Sequence, residues 1–345
     1  MWQPFTTAEA GEWIRATSVD ACPKATVQFT YDDVDQRTTT ADPIFAGLAT
    51  TNTPAYDAGL IRARGENQRT MSLAALRVDG TTTSEVGYYE LDAALNLKRI
   101  EDAKTQEFTR TKMAIPKDVL TVDAASVLLV DDRGRRWRLP KGDAGFDAPT
   151  KAGLLCIDRE VSTERDLFHC HGTFYELPAE NADGFARMRP IASHHLKTMD
   201  YGSYRGLLVM TGVQDGATGS HIIRSDDGKA AVWVGAIDDL WRLGRAVGVG
   251  GPWKDSAVEA GKPSDAYLFA GYDARRITLS HSATESVNLA IELDLTGNGL
   301  WVPYKTLVVP TGQKVDHTFP VELQARWVRV TADRATTASA VLTYE

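Results

Sequence analysis

Trp327-Val328-Arg329-Val330-Thr331, close to the end of the chain, reappears in diverged form as Trp13-Ile14-Arg15-Ala16-Thr17 close to its start. Phe5 stands as far ahead of Trp13 as Phe319 stands ahead of Trp327. After a one-residue gap, Ala25-Thr26-Val27-Gln28-Phe29-Thr30-Tyr31 runs alongside Ala338-Ser339-Ala340-Val341-Leu342-Thr343-Tyr344. Internal duplication copies whole folding units, so a modular protein with related units at both ends is expected. The first copy holds only the last strands of the unit. We therefore expect Met1 to open the chain in the middle of a module that belongs to a longer protein.

Outward from Trp327 the pattern is β throughout. In Val287-Asn288-Leu289-Ala290-Ile291-Glu292-Leu293 the large apolar groups fall on alternate residues, as a half-buried strand requires. Further strands are expected at Arg276 to Ser280, Trp301 to Tyr304, Thr306 to Val309, Val315 to Phe319, Trp327 to Thr331 and Ala338 to Tyr344. Asp294-Leu295-Thr296-Gly297-Asn298-Gly299 and Pro310-Thr311-Gly312 supply turns. Residues 262–345 thus predict a small β-sandwich, with a partial copy of it at 1–33. Gly248 to Pro263 is rich in Gly and Pro and predicts a linker with a docking segment.

Residues 40–250 predict a β-propeller-like domain, making the whole chain all-β. Hairpin strands are expected at Ser126 to Asp131 with Arg136 to Leu139, at Gly153 to Asp158, within Phe168 to Leu177, and at Gly206 to Thr211. Another, His221 to Ser225, turns through Asp227-Gly228 into Ala231 to Val234. At roughly forty to fifty residues per four-stranded blade, this stretch would hold about four or five blades.

Composition narrows the classes. The chain has 345 residues, enough for two or three domains. Its net charge of -8 disfavours a nucleic-acid partner. The one basic run, Arg133-Gly134-Arg135-Arg136-Trp137-Arg138, sits in an expected hairpin and is best explained as a solvated strand edge. No apolar run predicts a membrane span. Cys22, Cys156 and Cys170 cannot all pair and lack Cys-x-x-Cys spacing, so buried free thiols are expected in place of a disulfide framework or structural zinc.

Within the basic run, Asp132-Arg133-Gly134-Arg135-Arg136-Trp137 resembles the Asp-box hairpin, Ser/Thr-x-Asp-x-Gly-x-x-Trp, of sialidase-like β-propellers, with Val130 where the Ser or Thr belongs. Asp226-Asp227-Gly228 followed by Trp233 is a second, more distant match. The resemblance implies that the Asp caps the turn and the Trp packs between blades. It carries over no catalytic residue. More loosely, the arrangement resembles bacterial propeller proteins of polysaccharide breakdown with an appended sandwich, some of them lyases or glycosidases.

Chemistry-bearing residues are densest between Asp158 and Arg205. His169, His171, Phe174 and Glu176 recur at strand-like intervals, so His169 and His171 are expected to share a face. The pair could form a polar wall, perform acid/base work with Tyr175 and Glu176, or bind a divalent metal with help from His194 or His195. No cofactor is required by the acid/base alternative. Arg187, Arg189 and Arg205 could grip a carboxylate in bidentate fashion, and His195 and Tyr204 could join them against a sugar ring. Blade-edge packing is the plainer explanation for these arginines and tyrosines.

Two readings follow. One is a glycosidase or polysaccharide lyase acting on a poly- or oligosaccharide, and β-elimination from a uronate needs only a base, a cation and an acid. The other is a non-catalytic carbohydrate- or protein-binding scaffold. An extracellular or periplasmic location is expected from the modular β architecture.

Overall fold

The computed structural model describes residues 12–14, 24–26, 43–50, 52–63, 70–112, 120–131, 133–143, 158–162 and 165–345. Cys22, Cys156 and Asp132 lie outside them. The architecture is mostly β, in several antiparallel sheets.

β1 (Glu12–Ile14) and β2 (Lys24–Thr26) pair with each other. β3 (Ala55–Ala63), β4 (Met71–Asp79), β5 (Thr82–Leu91) and β6 (Leu97–Arg99) form a meander, and helix α1 (Ala103–Lys112) packs on β3, β4 and β5. Next come β7 (Leu120–Val122), β8 (Val127–Val130) and β9 (Arg136–Leu139). A second four-stranded meander follows: β10 (Asp158–Ser162), β11 (Arg165–Cys170), β12 (Thr173–Pro178) and β13 (Arg189–Ser193).

The third sheet contains β14 (Tyr201–Tyr204), β15 (Leu207–Met210), β17 (Ile222–Arg224) and β18 (Ala231–Gly235), in the order β14-β15-β18-β17. Between β15 and β17, β16 (Val213–Gln214) leaves to pair with β3 and so ties the third sheet to the first. The remaining strands are β19 (Gly248–Val258), β20 (Ala266–Leu268), β21 (Arg275–His281), β22 (Val287–Asp294), β23 (Trp301–Val309), β24 (Val315–Thr318), β25 (Trp327–Ala332) and β26 (Thr336–Tyr344). They form two facing sheets, β19-β26-β21-β24 and β23-β22-β25-β20, and the second continues through a parallel β20–β9 pair into β8 and β7.

Alternation explains the stacking. Tyr201, Leu208, Met210, Ala231 and Trp233 pack with Leu167, Phe174 and Ile191 of the β10–β13 sheet. Their neighbours Tyr204, Val209, Val232 and Val234 pack with Ile61, Met71, Leu73 and Tyr89 of the β3–β6 sheet. Strands buried on both faces carry continuous apolar runs, as Ala231-Val232-Trp233-Val234 does. On the other face of β10–β13, Phe168, Cys170, Tyr175 and Leu177 join one core with Leu129, Trp137, Leu289, Ile291, Trp327 and Leu342. The sheets therefore stack in a row, and a closed ring of blades is not shown among the described residues.

The expected C-terminal strands all form, with Trp301 to Val309 continuous as β23. The Gly248-to-Pro263 segment differs from expectation: most of it is β19, paired along β26. Its glycines permit close backbone approach, since a Cβ on Gly251 would collide with the Ala340 carbonyl. The pairing of β1 with β2 also differs from that of β25 and β26, which lie in different sheets although they match in sequence. At the Asp-box-like hairpin the cap is Asp131, one residue before the position the motif alignment marks. Its Oδ1 accepts the Arg133 and Arg135 amides at 3.0 and 2.8 Å, and its Oδ2 accepts Trp137 Nε1 at 3.2 Å. The basic run is matched by carboxylates: Arg136 and Arg138 both reach Asp265, and Arg138 also reaches Asp123.

Asp294 closes the 294–299 turn. Its Oδ1 accepts three amides, those of Thr296, Gly297 and Asn298, and its Oδ2 accepts the Gly299 amide at 2.8 Å. The carboxylate is buried, so D294A leaves several amides without partners and is expected to cost about 2–4 kcal/mol. A urea midpoint equal to that of the wild type would contradict this.

Candidate functional site

Four of the chain's seven histidines gather at one end of the β10–β13 sheet. β11 ends at Cys170, and His171 and Gly172 turn the chain with φ of 52° and 75°, a two-residue hairpin turn of the kind that matches strand twist. β13 ends beside that turn, so His194 and His195 arrive there too, with the His194 amide bonded to the Gly172 carbonyl at 2.7 Å.

His169 and His194 are buried and stacked, with Nε2 atoms 3.1 Å apart. His194 Nδ1 accepts the Leu196 amide at 3.0 Å, so the His194 proton sits on Nε2 and is donated to His169, which must carry its own proton on Nδ1. Burial, reinforced by the neighbouring His171, holds His169 down at about 3. Burial likewise holds His194 well below the usual imidazole range, with His169 and His195 adding to the effect. Both rings are neutral structural partners.

His195 is different. Its side chain is 75% exposed, while that of its partner Asp143 is 12% exposed, and Nδ1 lies 2.8 Å from Asp143 Oδ2. The carboxylate can only accept, so Nδ1 carries the proton and the Nε2 lone pair faces outward. An imidazole fixed in one tautomer by a largely buried carboxylate is equipped to take a proton. Close by, the exposed Arg245 accepts the Ser193 amide on its carbonyl at 3.1 Å.

Of the other expected residues, His169 and His171 reach this end of the sheet but are buried, and the rest lie elsewhere. His171 leaves the face shared by His169 and Phe174 because the strand stops one residue earlier. Tyr175 points to the opposite face, into the core shared with the sandwich. Glu176 lies at the far end of the β11–β12 hairpin, ion-paired with Arg189, whose guanidinium also covers Trp241. Arg187 pairs with Asp183. Tyr204 is buried among Ile61, Met71 and Tyr89, and Arg205 sits exposed on the β14–β15 turn with φ of 52°. Among the described residues no three His, Cys, Asp or Glu side chains come together to hold a metal ion. Cys170 is a free, buried thiol whose pKa burial pushes up.

A second buried charge lies in the first sheet. Burial pushes Asp57 up to about 6, and Arg224, 3.2 Å away, offsets this only in part.

The buried groups predict a pH dependence of stability. His169 and His194 have folded pKa values below the unfolded value of about 6.5, so between these limits the unfolded chain binds protons that the folded chain refuses. Each histidine then removes about 1.4 kcal/mol of stability per pH unit as pH falls below 6.5. Asp57 acts oppositely, because its folded pKa is raised and the folded chain takes up the proton first as pH falls from about 6 towards its unfolded value. His317 is also held low by burial and Asp239 is also raised by it, so three histidines oppose two aspartates and stability falls as pH drops below 6. Urea denaturation should show this loss in the wild type and its removal in H169Q/H194Q. A wild-type midpoint that stays level from pH 7 to 5 would contradict it.

No protein-family model matches the chain, and no curated protein sequence matches it. Comparison with solved structures finds a chain described as a glycoside hydrolase, 11% identical, covering 88% of this chain and 100% of that one, with a TM-score of 0.18. A Bombyx mori GH32 β-fructofuranosidase is 11% identical, covering 83% of this chain and 78% of its own, with a TM-score of 0.16. A glycoside hydrolase family 43 arabinoxylan arabinofuranohydrolase from Bacillus subtilis is 11% identical over 84% of this chain and 78% of its own, at a TM-score of 0.16. No helix among the described residues is long and apolar enough to cross a membrane.

Proposed function

We propose that the protein is a carbohydrate-active enzyme of the lyase type, in which His195 removes a proton from a uronate-containing glycan. The observation that carries this reading is the exposed His195 imidazole locked on Asp143. In such a step Nε2 takes the proton α to the uronate carboxylate, a cation neutralises the enolate charge, and the glycosidic oxygen leaves with a proton from water as the new double bond forms. We assign the cationic role to Arg245, an exposed residue whose backbone carbonyl holds the Ser193 amide two residues before His195. Hydrolysis would instead need two opposed carboxylates, and Glu176 is engaged by Arg189.

The substrate class comes from architecture. The stacked sheets of β3–β6, of β10–β13 and of β14, β15, β17 and β18 are read as consecutive blades of a propeller, and the two facing sheets of β19–β26, extended by β7–β9, as the sandwich. Two turns are closed by aspartates, Asp131 and Asp227, each one residue out of register with the Asp-box position, so the likeness to Asp-box hairpins is one of turn chemistry alone. This part of the reading is an analogy of fold. The test is incubation with a panel of uronate and neutral polysaccharides, with and without a chelator. Turnover confined to uronates and indifferent to the chelator is expected. Binding without turnover by the folded chain would replace the reading with that of a scaffold.

A further inference from the structure

We infer that His171 is a positioning residue that holds Asp143 against His195 through the backbone at Gly142, a role that rests on the reading of His195 given above. His171 is 3% exposed and cannot meet a substrate. It occupies a left-handed backbone conformation at the β11–β12 turn, which is uncommon for a residue with a side chain and favours Asn or Gly. What the imidazole adds is an acceptor. Gly142 N–H donates to His171 Nδ1 at 2.9 Å, and Asp143 N–H donates to the His171 carbonyl at 3.3 Å. One residue therefore takes two consecutive amides, those of Gly142 and Asp143.

The surrounding glycines show how closely the two segments interlock. A Cβ on Gly142 would lie 2.7 Å from the His171 carbonyl oxygen. On Gly172 it would lie 2.9 Å from the His194 carbonyl oxygen and 3.1 Å from Asp143 Cβ. Only glycine lets the strands close to this distance. The Gly172 carbonyl also binds the His194 amide, so the same turn fixes the residue preceding His195. Both members of the dyad are thus referred to a single turn, although Asp143 and His195 stand 52 residues apart. A dyad depends on such placement, since a displacement of about 1 Å can cost 10²-fold in rate.

The test uses the whole chain and begins with ¹⁵N NMR of the His195 ring in the wild type, D143N, H171A and H171N, reading which ring nitrogen carries the proton. H171A is expected to lose the Nδ1–H preference as D143N does. H171N is expected to keep the wild-type tautomer, because Asn tolerates positive φ and its Oδ1 can accept the Gly142 amide. On a turned-over uronate glycan, H171A should lower kcat about 10- to 100-fold with KM nearly unchanged, and H171N should restore it. A wild-type His195 tautomer in H171A overturns the proposal. Should H171A fail to fold, the wild type still decides: a scalar coupling across the Gly142 N–H to Nδ1 bond is expected, and its absence overturns the proposal. A lost Nδ1–H preference in H171A without turnover by the wild type would instead leave the positioning role standing and remove the catalytic reading of His195.

Discussion

H195N lowers kcat/KM on a uronate glycan by about 10²–10⁴-fold while leaving the urea midpoint within about 0.5 kcal/mol of the wild type. The two halves of this expectation come from one fact. The ring projects into solvent and touches the protein through Asp143, so its removal takes little packing with it. The base itself is lost, and general acid/base catalysis is worth that range of rate. D143N should fall between the variant and the wild type, because the imidazole remains but the preference for the Nδ1–H tautomer is gone. Steady-state kinetics beside urea melts would check both halves. Loss of folding in H195N, or activity near that of the wild type, would show that the exposed imidazole is not the base.

W327A is expected to destabilise the chain by about 3–5 kcal/mol, the largest effect of any single truncation proposed here. Trp327 is fully buried, its ring lies 4.6 Å from that of Trp137, and its Nε1 donates to the Ala186 carbonyl at 2.8 Å. It therefore joins the sandwich both to the Asp131-capped hairpin and to the loop that follows β12. W327F keeps an aromatic ring and loses the hydrogen bond, so it should cost less. Chemical denaturation of the two variants separates packing from the bond. Equal, small losses in both would mean that the sandwich and the stacked sheets do not depend on this contact.

Legibility in the sequence followed the range of the interactions. The strands of the C-terminal sandwich could be read because alternation in Val287 to Leu293 and the turn residues at 294–299 are local signals. The hairpin at Asp227-Gly228 was legible for the same reason. Gly248 to Val258 was not: its glycines suggest a linker, yet they serve a bulged strand whose partner, β26, lies some ninety residues on. The site divides likewise. The sequence pointed to His195 as a substrate contact or metal ligand and not as a base, and gave no sign of Asp143, because nothing local marks a carboxylate that meets its histidine only through the fold. The two-residue spacing of His169 and His171, with Glu176 further along the hairpin, suggested a catalytic face. The turn at His171 breaks that face, burial neutralises His169, and Arg189 engages Glu176.

The most direct measurement is the mass of the products released from a uronate polysaccharide by the wild type and by H195N in parallel. Products one water lighter than hydrolytic fragments from the wild type, and none from H195N, are the predicted result. Products of hydrolytic mass, or equal release by the variant, would contradict a proton-abstracting His195.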